Sequence, residues 1–312
     1  MSSGRRDRWR WLGIVASVIL GLVLLVAAYA KAIDPVAFAE QIRAEGLDFL
    51  LGAGVVAWIA IVLEVVLGLA LLLAIRRRWV LVPTGLLIVL FLFLTGRTYW
   101  RFLNGIEPDA ACGCFGNLVE RSPAEAFWQD LLLLVPPFVA ACVWRGVAAT
   151  ARWKVALVAL AGVAAGVFVW RAPDLPLDDL ATRLKPGVEI DSLCAGSSTV
   201  AADRACLDLV APELTIGRHL VVIAKLDSED LAEHVADLNA LAASGPRKVW
   251  LLDDAEEEER TAFFWQHAPA FELREVPAAL LRPLYRTTPR SFAVEDGKVT
   301  ATWAGYPEPG AL

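Results

Sequence analysis

The long apolar runs in the first 170 residues constrain this chain more than any other feature. About 20 predominantly apolar residues, rising 1.5 Å each, cross the roughly 30 Å hydrocarbon core of a bilayer as a helix. Five stretches reach that length: Trp11 to Ala30, Phe49 to Ile75 (interrupted by Glu64), Trp79 to Gly96, Ala126 to Trp144, and Trp153 to Trp170. The fourth carries Gln129, Asp130 and the Pro136-Pro137 pair, and the fifth is short and rich in Ala and Gly. Trp stands near one or both ends of most of them, where an amphipathic ring settles at headgroup level. Composition agrees, with 57% hydrophobic residues and a mean hydropathy of +0.54. Beyond about residue 170 polar and apolar residues mix in ordinary proportion. The expected organisation is a four-helix membrane domain over 1–147, a fifth transmembrane helix over 148–172, a linker over 173–186, and an extramembrane domain over 187–312.

Orientation follows from the basic residues in the short connections. Arg5, Arg6, Arg8 and Arg10, then Arg76-Arg77-Arg78, then Arg145, Arg152 and Lys154 all fall on one side, read as cytoplasmic. The alternate connections, Lys31 to Asp48 and Arg97 to Glu125, are mixed or acidic, as is the start of the C-terminal region at Asp174, Asp178 and Asp179. The expectation is a multi-pass protein of a bacterial plasma membrane, with its N-terminus cytoplasmic and its C-terminal domain extracytoplasmic. A competing reading takes the Arg-rich start, the first apolar run and Ala28-Tyr29-Ala30 as a cleaved signal peptide. That run, however, exceeds the usual 7–15 residues, and further spans follow it. A net charge of −6 and a pI near 5.3 offer no basic face for phosphates, which excludes nucleic acid as a partner. The lipid bilayer is the expected surrounding.

Charges inside hydrocarbon are costly unless paired, so Glu64 in the second span is a candidate by default. Lys31 and Arg97 stand near the outer ends of the first and third spans, and either could pair with it. Helix-to-helix glue and a proton-relay group are both open readings. A second candidate is CGCFG, residues 112–116, in the connection after the third span. Cys112 and Cys114 could form a disulfide only if the chain bends, which Gly113 permits. So small a ring would be strained, and strained exposed disulfides are the labile, oxidising ones. A redox pair is the leading reading. A metal clip and a structural role, each cysteine pairing elsewhere, remain beside it. The metal reading lacks local partners, because His219, His234 and His267 all lie in the C-terminal domain. Cys142, toward the cytoplasmic end of the fourth span, reads as a small apolar filler.

The C-terminal region alternates strand and helix and closes on a hairpin. HLVVIAKL (219–226) reads as a buried strand, and Asp227 or Ser228 caps an amphipathic helix to about Ala243. KVWLLD (248–253) is the next strand, followed by an acidic run, Asp253 to Glu259, that suits the first turn of a helix. FELREV is a third strand, and SFAVEDGKVTATW is a hairpin turned at Asp296-Gly297. Cys194 and Cys206 precede the first of these strands. Their spacing suits a structural disulfide worth about 2–3 kcal/mol, or a second pair exchanging with Cys112 and Cys114.

Two resemblances gather these pieces. YAKAIDPVAFAEQI (29–42), LEVVLGLALLLA (63–74), and TGRTYW followed by ACGCFG resemble the MauE branch of the MauE/DoxX membrane proteins, over roughly residues 10–145. That resemblance implies processing, transport or maturation of the methylamine dehydrogenase light (beta) subunit, a periplasmic protein dense in disulfides. It also implies a redox-associated role beside thioredoxin-like partners. LYRTTPRSFAVEDGKVTATWAG resembles the thioredoxin-like fold of TlpA-like and MauD-like proteins, over about residues 187–306, with Pro289 at the family's cis-proline. Where that family carries Cys-x-x-Cys, this chain has LDSEDL (226–231), with no thiol. The fold expected is therefore a membrane α-helical bundle of five transmembrane helices followed by an α/β thioredoxin-like domain lacking CxxC. The expected role is to assist thiol–disulfide exchange in the maturation of exported proteins, as a possible thiol–disulfide oxidoreductase. The alternative is a non-catalytic scaffold or chaperone. An exported client or thioredoxin-like protein is the expected partner. No cofactor is evident, and a quinone is an open option.

Overall fold

The computed structural model describes residues 3–49, 51–105, 122–143, 151–195 and 205–307, and it divides into two units, Met1–Leu175 and Pro176–Leu312. The first unit is helical: α1 (Ser3–Ile33), α2 (Pro35–Ala44), α3 (Ala53–Leu72), α4 (Arg78–Leu103), α5 (Pro123–Val143) and α6 (Arg152–Arg171). All but α2 are long and apolar enough to cross a membrane, which gives five candidate spans among the described residues. The short α2 was not expected. It forms because Pro35 lacks an amide proton and disfavours helical angles at Asp34, so α1 ends there. The Asp34 carboxylate then accepts from the amide of Ala37 at 3.0 Å, and Pro35 takes the first helical position.

Helices in lipid gain nothing by hiding apolar side chains from their neighbours, so they associate through close packing and hydrogen bonds. Leu20, Leu24 and Ala27 of α1 meet Leu67, Ala70 and Leu71 of α3, with Leu87, Ile88 and Phe91 of α4 and Leu134 of α5 completing the cluster. Gly21 and Gly68 let α1 and α3 approach backbone to backbone: a Cβ on Gly21 would stand 2.6 Å from the Gly68 carbonyl oxygen. Ser17 donates to the Leu71 carbonyl at 2.8 Å, which also accepts the Ala74 amide at 2.9 Å where α3 ends. On the other side of α3, Gly166 of α6 accepts Trp58, whose indole nitrogen donates to the Gly166 carbonyl at 2.9 Å. The buried hydroxyls of Thr84 and Thr95 bond back to the carbonyls of Val80 and Phe91, which leaves them satisfied in an apolar setting.

The second unit carries the short helices α7 (Asp178–Ala181), α8 (Leu207–Val210) and α11 (Ala278–Leu281), and the longer α9 (Glu229–Ser244) and α10 (Glu257–His267). Its strands are β1 (Cys194–Ala195), β2 (Ala205–Cys206), β3 (Arg218–Ile223), β4 (Lys248–Asp253), β5 (Glu272–Glu275), β6 (Arg290–Glu295) and β7 (Lys298–Ala304). β3 to β7 form one sheet in the order β5-β4-β3-β6-β7. β3, β4 and β5 are parallel, joined by α9 and α10, whereas β6 and β7 form an antiparallel hairpin. The hairpin turns at Asp296 and Gly297, both at positive φ, as a tight two-residue turn requires.

Leu220, Val222 and Leu251 pack under α9 and α10 through Leu231, Val235, Leu238 and Phe263. Val221, Ile223, Leu252, Phe292 and Val294 meet a second layer that includes Leu184, Leu193, Leu207, Leu214 and Leu281. Burial on both faces is why β3 and β4 read as unbroken apolar runs. Parallel βαβ crossovers, a closing antiparallel hairpin and a cis Thr288–Pro289 bond before β6 make a thioredoxin-like domain. Leu184 sits fully buried in that core and the Arg183 amide donates to the Pro283 carbonyl at 2.9 Å. The stretch expected as a linker over 173–186 is therefore partly domain core.

The backbone contact at Gly21 yields a test. Gly21→Ala should lower stability in detergent by about 1–3 kcal/mol, because the obstructing atoms are backbone and cannot swing aside. Gly54→Ala, where an added Cβ meets nothing within 4 Å, should leave the melting temperature unchanged. Equal melting of the two variants would refute the contact.

Candidate functional site

Lys31 and Glu64 form a salt bridge at 2.5 Å, with side chains 3% and 0% exposed. The KAIDP stretch explains how. Lys31 lies in the last turn of α1, where a cation is favoured by the helix dipole, and the break at Asp34-Pro35 folds α2 back beside it. Phe38 of α2 and Phe91 of α4 then hold their rings 5.2 Å and 4.5 Å from the ammonium. Such cation–π contacts recover part of the hydration a buried ammonium loses. Glu64 accepts through Oε1, while its Oε2 is buried with no hydrogen-bond partner among the described residues. Of the two cations considered for Glu64, the structure selects Lys31. Arg97 stands elsewhere: it is 44% exposed and pairs with Glu45, the C-cap of α2, at 2.9 Å. Its side chain thus belongs to the rim of α2 and not to the buried pair. Phe38 and Phe91 escaped the sequence reading because an aromatic residue in a span carries no signal of what it faces.

Cys112 and Cys114 lie outside the described residues. Cys142 is half-buried beside the apolar cluster of the helical unit. Cys194 and Cys206 are joined by a disulfide and face each other across β1 and β2. Their neighbours Leu193 and Leu207 are buried in the domain core, and the Arg183 guanidinium donates to the Cys194 carbonyl at 3.1 Å. The bridge accordingly staples the layer that covers one face of the sheet.

The second unit gathers several candidate residues at one end of its sheet. Ile223, the last residue of β3, is in register with Arg290, the first of β6, so Pro289 lies at the end where the chain leaves β3 for α9. There Ser228 caps α9, accepting from the Leu231 amide at 3.3 Å. A hydroxyl therefore occupies the helix start at which a thiol would be activated. Gly305, just after β7, donates its amide to the Pro289 carbonyl at 3.0 Å. The next residue, Tyr306, stacks on His234 of α9 with ring centroids 4.3 Å apart. Burial pushes the Tyr306 phenol up, and the nearby Asp230 carboxylate adds to it. Arg290 itself is buried, bonding Asp179 at 3.0 Å and standing 3.6 Å from Asp178. That contact ties the start of the domain to the residue after Pro289. The acidic pair and the Arg were visible in the sequence, but nothing there linked residues 111 apart.

The histidines have structural roles. His219 accepts from the Trp250 indole nitrogen at 3.0 Å through Nδ1, and its Nε2 bonds the Ile216 carbonyl at 2.8 Å, which orients the ring in the core. His234 bonds the Asp230 carbonyl at 2.8 Å. Among the described residues no three His, Cys, Asp or Glu side chains gather as a metal would require.

Comparison with known proteins matches the membrane half to a family. Residues 9–145 match the family model described as "Methylamine utilisation protein MauE", so this part of the chain is similar to that family, and its long apolar helices make it multi-pass. A crystal structure of a putative thiol:disulfide interchange protein DsbE from Chlorobium tepidum is similar at 17% identity and a TM-score of 0.31. The similarity covers 40% of this chain and 88% of that one. No curated protein matches the chain.

The buried pair can be separated into its structural and functional parts. Glu64→Ala leaves an ammonium buried alone and should cost about 3–5 kcal/mol, read as a fall in melting temperature in detergent. The double variant Lys31→Met, Glu64→Leu should recover most of that loss, since apolar groups of similar volume replace a buried pair at little cost. A double variant no more stable than Glu64→Ala would overturn the ion-pair assignment. A double variant that folds but has lost activity gives the pair a role beyond packing.

Proposed function

We propose that this chain is a redox-associated membrane protein that assists thiol–disulfide exchange during the maturation of exported proteins. The observation that carries the reading is the joining of a MauE-type region, which includes CGCFG, to a thioredoxin-like domain whose helix start bears Ser228 in place of a thiol. The domain supplies a sheet end suited to receiving a polypeptide, and the reacting thiols come from Cys112 and Cys114. In the exchange a client thiolate attacks one sulfur of a Cys112–Cys114 disulfide. The new S–S bond forms as the old one breaks, and the departing thiolate takes a proton. The second client thiol then closes the client disulfide and leaves Cys112 and Cys114 reduced. Their reoxidation requires an electron acceptor, for which a lipid quinone is the class to assay. The Arg clusters at the N-terminus and at residues 76–78 support an N-terminus in the cytoplasm of a bacterial cell. The alternate side is then extracytoplasmic, for both the CGCFG connection and the C-terminal domain. The methylamine dehydrogenase light (beta) subunit is the client class that the MauE likeness suggests.

A second reading, a membrane-anchored scaffold that binds a client without chemistry, is favoured by the missing thiol at Ser228. One experiment divides the two. The Cys112→Ser, Cys114→Ser protein should lose disulfide formation in its client, and a single-Ser variant should trap a mixed disulfide visible by non-reducing mass spectrometry. Full client maturation by the double-Ser protein would reject exchange and leave the scaffold.

A further inference from the structure

Among the described residues one carboxylate oxygen of the fully buried Glu64 has no hydrogen-bond donor, and α2 packs on the same face of α3. Ala57, Ile61 and Glu64 fall on one face of α3, at i, i+4 and i+7, and all are buried. α2 covers that face. Ile42 packs on Ala53 and Ala57, with Phe38 and Ala39 beside them, while Phe38 also touches the cluster of Ala32, Ile61 and Val169. The helix is only 10 residues long, and non-helical joints bound it at both ends: Asp34 at φ −130° and Gly46 at φ +68°. At its outer end Arg97 holds Glu45 by the carboxylate at 2.9 Å and more loosely by the carbonyl at 3.4 Å.

We propose that α2 is a hinged cover, latched by Glu45 and Arg97, that controls access of water to the buried Glu64 carboxylate. The contrast between the two ion pairs carries the argument. Lys31 and Glu64 are sealed in the interior, where separating them leaves a bare charge in an apolar medium, so they stay together. In the outer pair the Arg97 guanidinium is 44% exposed and the Glu45 carboxylate 12%, so water competes for the guanidinium and this pair is weaker than the sealed one. The outer latch therefore opens before the inner pair breaks. An opening pivoting at Asp34 lifts Phe38 and Ile42 away from Ala57 and Ile61, and water reaching Oε2 provides the missing hydrogen bond. A carboxylate that meets water only when a cover opens can exchange protons with one compartment at a controlled rate. This inference is independent of the thiol chemistry proposed above.

The test uses the full chain in lipid nanodiscs, with Cys112→Ser, Cys114→Ser and Cys142→Ser as background. A thiol introduced by Ala57→Cys, beneath α2, reports the cover, and one introduced by Ala70→Cys, fully buried farther along α3, is the control. The readout is the rate of modification by a charged, membrane-impermeant maleimide. Adding Arg97→Ala should speed modification at position 57 by about two- to fivefold, the population shift an exposed ion pair supports, and leave position 70 unchanged. The charge-swapped pair Glu45→Arg, Arg97→Glu should restore the slow rate. An unchanged rate at position 57, an equal rise at both positions, or failure of the swap to restore the slow rate would each overturn the proposal.

Discussion

Hydrocarbon offers no partner to a charge, and the helical unit is arranged around that constraint. Lys31 and Glu64, 33 residues apart, neutralise each other from α1 and α3, and Phe38 and Phe91 line the ammonium. Lys31 stands in the last turn of α1, and the fold-back of α2 brings Phe38 to the ammonium. Asp34 and Pro35 set the break that makes this possible. The rest of the bundle obeys the same rule on a smaller scale. Ser17 donates to a carbonyl at the end of α3, Trp58 to one on α6, and the buried threonines to carbonyls of their own helix.

The thioredoxin-like unit keeps the frame of its fold without the thiol chemistry at its helix start. Ser228 makes a sound N-cap, so the helix loses nothing in stability by lacking a cysteine there. The cis-proline end of the sheet stays intact around it, tied through Gly305 on one side and through Arg290 to Asp178 and Asp179 on the other. The frame is thus preserved around a serine at the helix start.

What could be read from the sequence followed the range of the interactions. The spans, KVWLLD as β4 and the Asp296-Gly297 hairpin were legible because each is encoded by period, length or turn chemistry within a few residues. The α2 helix was missed although its signals, an N-cap Asp and a Pro after it, were present. Ten residues between two long apolar runs read as connection, and the amphipathic pattern is too short to stand out. Partner choice was only half legible. Glu64 demanded a cation, yet local pattern could not decide between Lys31 and Arg97, because the answer depends on which helices pack together. The contact of Arg290 with Asp178 and Asp179 joins positions more than a hundred residues apart, beyond the reach of any local pattern.

The Cys194–Cys206 bridge has a consequence for how the protein comes into being. Leu193 and Leu207 enter the core as immediate neighbours of the bonded cysteines, so oxidation of two thiols adds a covalent tie to a layer that packing already holds. Until then the newly made domain is itself a substrate for an oxidising system. A protein proposed to help others acquire disulfides also carries one of its own.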